Sequence, residues 1–160
     1  MSKKIVLIAG PTASGKSKIA IEIAKKIKGE IINADSMQVY KEFSILSSRP
    51  SNLDLKKIKH YLYGFQSAKK HFSTGAWLKL VKKQVNLCLK NKKIPILVGG
   101  TGLYFESITK GMSKIPNINF KERKKIRELQ KKLGQIIFYE KLLKLDPLVK
   151  NNIELSDTQR

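Results

Sequence analysis

Two periods of hydrophobic and polar positions take turns along this chain. Ile5-Val6-Leu7-Ile8-Ala9 is an unbroken apolar run of strand length. Ile19, Ala20, Ile23, Ala24 and Ile27 then recur at helical spacing, with Gly29 as the expected stop. Glu30-Ile31-Ile32-Asn33-Ala34 predicts a second short buried strand, ending on Asp35-Ser36-Met37-Gln38. Residues 41–72 scatter Leu53, Leu55, Ile58 and Leu62 among lysines, with a turn-like break at Leu46-Ser47-Ser48-Arg49-Pro50-Ser51. Irregular structure with one short helix is expected there. From Ser73 onward Trp77, Leu78, Val81, Val85, Cys88 and Leu89 share one helical face, opposite Lys79, Lys82, Lys83 and Lys90. Ile94-Pro95-Ile96-Leu97-Val98 is a third strand, followed by Gly99-Gly100-Thr101-Gly102 and a helix over 103–110.

Strands alternating with helices predict an α/β fold with a parallel sheet flanked by helices over residues 1–112. Beyond Gly111 and Pro116 the pattern turns purely helical, over about 120–133 and 135–145, with breaks at Gly134 and Asp146-Pro147. Residues 113–160 are therefore expected to be a helical appendage. Asn119-Phe120-Lys121-Glu122 has the form of a capping box, and Ser156 to Arg160 that of a helix start.

Between the first strand and first helix stands Gly10-Pro11-Thr12-Ala13-Ser14-Gly15-Lys16-Ser17, which fits the phosphate-loop pattern G-x-x-x-x-G-K-[ST] without mismatch. Two glycines let backbone N–H groups turn inward, and the helix N-terminus adds its partial positive charge at the same point. Lys16 is placed to neutralise terminal phosphates and Ser17 to offer its hydroxyl to Mg2+. In such a sheet the ligand crevice lies at the carboxyl ends of the strands. Asp35 stands at one such end, as a general base, a metal partner or a helix N-cap. Thr101 stands at another, as a hydrogen-bond donor to a ligand or as a helix cap.

Composition adds less. A chain of 160 residues with 41% hydrophobic content suits one ordinary domain. No run approaches the ~20 apolar residues of a membrane span, and Met1-Ser2-Lys3-Lys4 leads straight into the first strand, so a cytoplasmic protein without membrane association is expected. Cys88, the only cysteine, excludes an internal disulfide and a thiol-built zinc cluster, and is expected to pack on its helix face. His60 and His71 lack ligand partners at metal spacing and read as solvated or packing residues. The net charge of +21 has two explanations. It suits a nucleic-acid partner, and it also suits an AT-rich genome, since arginine contributes only Arg49, Arg123, Arg127 and Arg160. Arg123, Lys124, Lys125 and Arg127 crowd the first turns of a predicted helix, where an external anion would relieve their opposition to the helix dipole.

Taken together, GPTASGKS at 10–17, NADSMQVY at 33–40 and PILVGGTGLYF at 95–105 resemble the three core signatures of the tRNA dimethylallyltransferase family, in order and at similar spacing. Weaker similarity continues through Arg123, Leu145-Asp146-Pro147 and Ser156-Asp157-Thr158-Gln159-Arg160. The stretch 45–50, Ile-Leu-Ser-Ser-Arg-Pro, departs from the family's I-G-T-A-K-P, and the chain has near half the family's usual length. The resemblance implies a P-loop NTPase-like core with the start of a helical, tRNA-gripping insertion. It implies dimethylallyl diphosphate in the loop, held by Thr12, Ser14, Gly15, Lys16, Ser17 and Mg2+, and the anticodon stem-loop of tRNA as partner. Ser36, Met37 and Gln38, with Asp35, would receive the adenine. Asp35 would take the proton of its amine, Thr101 would assist at the reaction centre, and Arg123, Gln159 and Arg160 would contact tRNA. A monomer is expected. The rival readings are a small P-loop kinase, whose fold also puts a carboxylate after its second strand, and a binding module that holds tRNA or nucleotide without turnover.

Overall fold

The computed structural model describes residues 4–112 and 118–157. They fall into two compact units, Met1–Ser113 and Lys114–Arg160.

In the first unit, β1 (Val6–Ala9) leads through the glycine loop into α1 (Lys16–Ile27), then β2 (Gly29–Asn33), α2 (Asn52–Lys57), β3 (His60–Tyr61), α3 (Thr74–Lys90), β4 (Ile94–Gly99) and α4 (Gly102–Thr109). The strands form one four-stranded sheet in the order β1-β4-β2-β3, and every pairing is parallel. Successive side chains of a strand face opposite ways, so the central strands build two cores. Ile31, Ile96 and Val98 meet Ala20, Ile21 and Ala24 of α1 on one face. Ile32, Ala34 and Leu97 meet Trp77, Val81, Val85 and Cys88 of α3 and Tyr104 of α4 on the other. Trp77 stacks on Tyr104 with ring centroids 4.0 Å apart and donates its indole N–H to the Asn33 carbonyl at 3.0 Å. That bond anchors the α3 side of the core to the end of β2, next to Asp35.

Gly29 is not the helix stop. Lys28 closes α1 in the left-handed conformation, φ 54°, returning its N–H to the Ala24 carbonyl. Gly29 already belongs to β2, where a Cβ would sit 2.6 Å from Ile96 Cδ1. Residues 41–72 also hold more than the expected single helix. A 3-10 turn spans Lys41–Phe43, and β3 adds a fourth strand beside β2, in register Ile31↔His60 and Ile32↔Tyr61. Cys88 is buried, as its helical face implied, and its thiol donates to the Glu30 carboxylate at 3.2 Å.

In the second unit α5 (Phe120–Leu133) and α6 (Gln135–Leu145) meet at Gly134, φ 77°, and a 3-10 turn follows over Pro147–Asn151. Tyr139 of α6 donates to the Ile153 carbonyl at 2.9 Å and closes the unit. Asn119 caps α5 through the Lys121 N–H at 3.0 Å, but Glu122 faces Lys125 rather than completing a box. The capping box is on α2 instead, between Ser51 and Asp54. Ser156 lies in a turn closed by Asp157 and Glu154, and the rest of the expected helix start, Thr158, Gln159 and Arg160, lies outside the described residues, as does Pro116.

Candidate phosphate-loop site

Residues 10–15 leave the end of β1 and reverse direction before α1. The reversal needs two left-handed residues, Ala13 at φ 64° and Gly15 at φ 80°. Only glycine adopts that conformation without strain, and at Ala13 it costs about 1–2 kcal/mol. Gly15 is also the N-cap of α1 and brings no side chain to it. The first-turn N–H groups are therefore left for an external acceptor. Lys16 folds back over the loop: its ammonium donates to the Pro11 carbonyl and to Ser14 Oγ at 3.3 Å, while Ser14 donates to Pro11 at 2.8 Å. Gly10 leaves room for this arrangement, since a Cβ there would lie 3.2 Å from Ser14 Oγ.

Facing the loop is the end of β2. Asp35 is half-buried and heads a tight turn rather than a helix: its Oδ1 accepts the Met37 N–H at 2.9 Å. The residue that fixes it is Asn33, fully buried. Asn33 accepts the Asp35 N–H at 2.9 Å and donates through Nδ2 to the Asp35 carbonyl at 2.9 Å and the Leu62 carbonyl at 3.1 Å. In the sequence Asn33 stands within a predicted strand and opens the NADSMQVY segment, with no role of its own assigned to it. A polar side chain inside such a strand, two residues before a candidate acid, was the signal.

The end of β4 closes the third side. A Cβ at Gly99 would sit 2.1 Å from the Ala34 carbonyl, and one at Gly100 would be 3.5 Å from Asp35 Oδ2. These glycines let the β4 turn approach β2 and keep the carboxylate accessible. Thr101 does not act as the expected helix cap. It occupies the N-cap position of α4 without a side-chain cap bond. Its hydroxyl instead accepts the Ser36 N–H at 2.8 Å and donates to Ser36 Oγ at 3.2 Å.

Together these turns enclose a cavity of about 300 Å³, lined by Thr12, Ala13, Ser14, Gly15, Lys16, Ser17, Lys18, Asp35, Gln38, Ser47, Ser48, Tyr63, Val98 and Gly99. Of the sequence-predicted site residues, Thr12 to Ser17, Asp35 and Gln38 meet in it; Gly10 and Pro11 support the loop, and Ser36 and Thr101 hold the turn beside it. Met37 is half-exposed, and Arg123 is exposed on α5 of the second unit. Ser47, Ser48 and Tyr63 were not anticipated. Burial, with the charge of Asp35 added, pushes the Tyr63 hydroxyl well above its ordinary value. Burial, Tyr40 and Asp35 push Tyr104 up to about 12. Both phenols therefore stay protonated at neutral pH and remain donors.

No group of three or more His, Cys, Asp or Glu fit to hold a metal occurs among the described residues. Ser17 and Asp35, however, line the same cavity. One hydroxyl and one carboxylate suit a hard cation such as Mg2+, which completes its shell with phosphate oxygens and water.

A parallel sheet whose first strand feeds a glycine loop of phosphate-loop form, faced by a carboxylate from the end of β2, defines the P-loop NTPase-like fold class. The sequence profile of the family described as IPP transferase matches residues 38–160, and the chain belongs to that family. It is 60% identical over 157 residues to a tRNA dimethylallyltransferase of Pelagibacter ubique, covering 98% of this chain and 50% of that protein. It is 47% identical to a tRNA dimethylallyltransferase of Rickettsia canadensis, covering 99% of this chain and 49% of the other. Among solved structures, a eukaryotic dimethylallyltransferase acting on tRNA superposes with a TM-score of 0.82 at 28% identity, over 98% of this chain and 39% of that one. The tRNA isopentenylpyrophosphate transferase of Bacillus halodurans gives 0.69 at 28% identity, over 98% and 52%. The chain spans about half the length of the curated relatives it matches.

Proposed function

We propose that this chain carries the donor-binding and proton-accepting half of a tRNA dimethylallyltransferase. The observation that carries the proposal is the single cavity shared by the loop of residues 12–17 and Asp35. The diphosphate of dimethylallyl diphosphate lies against the backbone N–H groups of the loop, with Lys16 turned from Pro11 and Ser14 toward its oxygens. Mg2+, held by Ser17 with Asp35 nearby, supplies charge neutralisation of the diphosphate when bound. The exocyclic amine of the adenosine 3′ to the anticodon attacks the allylic carbon, the carbon–oxygen bond to diphosphate breaks, and Asp35 accepts the amine proton. Lys16 stabilises the departing diphosphate. Thr101 keeps the 35–38 turn in place through Ser36, and that turn receives the adenine.

Removing the base from its stack costs about a few kcal/mol, offset by contacts to the loop nucleotides. Arg123 on α5 contributes such contacts, as do Gln159 and Arg160. The protein acts as a monomer in the cytoplasm, where tRNA is modified.

The test is transfer of radiolabelled dimethylallyl from its diphosphate to an anticodon stem-loop carrying adenosine at that position, with phosphate release and transfer from ATP followed in parallel. Label in the RNA that disappears in Asp35→Ala supports the proposal. Phosphate transfer from ATP without RNA labelling replaces it with a kinase, and RNA binding without either reaction replaces it with a binding module.

A further inference from the structure

Three residues of the cavity lining, Ser47, Ser48 and Tyr63, belong neither to the phosphate loop nor to the ends of β2 and β4. They make up its remaining side, and they come from two turns outside the helices and strands. Apolar packing does not hold the first turn, because its two large hydrophobic residues, Ile45 and Leu46, are 90% and 86% exposed. Polar contacts hold it instead. The chain reverses at Ser48, left-handed at φ 50°, and brings Arg49 back to the segment it has just left. Arg49 Nη1 donates to the Tyr40 carbonyl and Nη2 to the Lys41 carbonyl, each at 3.3 Å, while Gln38 Nε2 donates to the Ser47 carbonyl at 2.8 Å.

The second turn is tied to the same point. Gly64, left-handed at φ 53°, donates its N–H to the Gln38 carbonyl at 2.9 Å. A Cβ on Gly64 would lie 1.6 Å from Arg49 Nη1 and 2.8 Å from Arg49 Cζ, so the guanidinium occupies the space that any other residue at 64 would fill. Two residues far apart in sequence are thus fitted to each other. Arg49 makes no ion pair among the described residues; its side chain fastens main chain rather than pairing with an acid. It does not itself line the cavity, so it acts on a ligand only through the residues it holds. We infer that Arg49 is a positioning residue of the diphosphate site: its forked guanidinium, seated on Gly64, keeps Ser47, Ser48 and Tyr63 in place as the wall that completes the cavity around a bound diphosphate. The ligand is named by the transferase reading, on which the inference rests. A lysine here would keep the charge but could not fork between two carbonyls.

The test is calorimetric titration of the full chain with inorganic diphosphate, for wild type, Arg49→Ala, Arg49→Lys, Gly64→Ala and the double variant, with far-UV circular dichroism of each and hydrogen exchange of segments 38–49 and 61–66. Arg49→Ala should raise the Kd about tenfold, within the range by which members of one hydrogen-bond network affect each other, and both segments should exchange faster while α1 and α3 keep wild-type protection. Arg49→Lys should raise the Kd by at least about threefold, because it loses the fork. Gly64→Ala should match Arg49→Ala, and the double variant should exceed either by less than about twofold, since both changes remove the same contact. Transfer of labelled dimethylallyl at saturating donor should stay within about threefold of wild type in Arg49→Ala, because Asn33 holds Asp35 separately. A folded Arg49→Ala with wild-type Kd assigns Arg49 to stability alone and overturns the inference. Wild-type Kd in Arg49→Lys overturns it too, since charge would then suffice, as does a double variant whose effects multiply. Should Gly64→Ala not fold, the two Arg49 variants decide the matter. Wild type that binds diphosphate in this Arg49-dependent way yet transfers no dimethylallyl overturns the transferase reading and leaves the wall standing; wild type that does not bind diphosphate overturns both.

Discussion

Asp35 and Lys16 line one cavity, yet different parts of the chain hold them, and their substitutions should separate. Lys16 is on the loop, so Lys16→Ala should raise the Kd for dimethylallyl diphosphate by about tenfold or more, the loss of a charge-assisted contact. Asp35→Asn keeps the shape and the Met37 contact, so donor binding should persist while single-turnover transfer falls by about 10²–10⁴, the range of general-base contributions. Equal loss of binding in both variants would remove the division of roles. Asn33 acts on both sides of the cavity, through Asp35 and through Leu62. Asn33→Ala strands a partly buried N–H and two partly buried carbonyls that it now satisfies. Each such group costs about 1–3 kcal/mol, so urea unfolding should show at least about 2 kcal/mol of destabilisation together with lost transfer. A midpoint unchanged from wild type would show that the turn holds itself.

At the scale of elements, what the sequence made legible was whatever is written in consecutive residues. The phosphate loop qualifies because strand, glycines, lysine and helix follow one another, and α3 qualifies because its apolar face repeats over 17 residues. What depends on a distant neighbour was not legible. β3 is two residues long and exists through its pairing with β2. Thr101 spends its hydroxyl on Ser36, 65 positions away, so its spacing from the next helix suggested a cap that does not form. Gly29 looked like a helix stop because glycine is common there, whereas contact with Ile96 requires it in the strand. Where a local signal was present and missed, it can be tested: Ser51 and Asp54 cap α2, and Ser51→Ala should cost about 1 kcal/mol by thermal or urea unfolding. β3 carries a pH signature as well. Burial lowers the His60 pKa from its ordinary 6.5, against a smaller upward pull from the Ile58 carbonyl. The unfolded chain therefore takes up the proton more readily than the folded one. Stability from this group is full above about pH 6.5 and is lost as pH falls through the lower folded value. His60→Gln should flatten the fall in unfolding midpoint between pH 7 and 5, and an unchanged slope would assign the fall to other groups.

The charge of the whole molecule, +21, is compatible with both a nucleic-acid partner and a lysine-rich genome, and salt distinguishes them. A diffuse excess of lysine binds any polyanion, and each neutralised phosphate contributes about equally to the salt dependence wherever the lysine sits. A dedicated surface concentrates the effect. Arg123 and Arg127 are exposed on α5 and form no ion pair among the described residues, whereas the adjacent Lys124 and Lys125 face Glu128 and Glu122 at 3.8 and 3.4 Å. Lys82 and Lys83 on α3 are exposed cations of the other unit and serve as the control. Affinity for an anticodon stem-loop should be measured from 50 to 300 mM salt. Replacing Arg123 or Arg127 by alanine should reduce the slope of log K against log salt by about one each, as a lost phosphate contact does, and leave the Kd for dimethylallyl diphosphate unchanged. Lys82→Ala and Lys83→Ala should leave the slope near wild type. Four equal reductions would mean that RNA meets only the average charge of the chain, and α5 would then have no part in recognising tRNA.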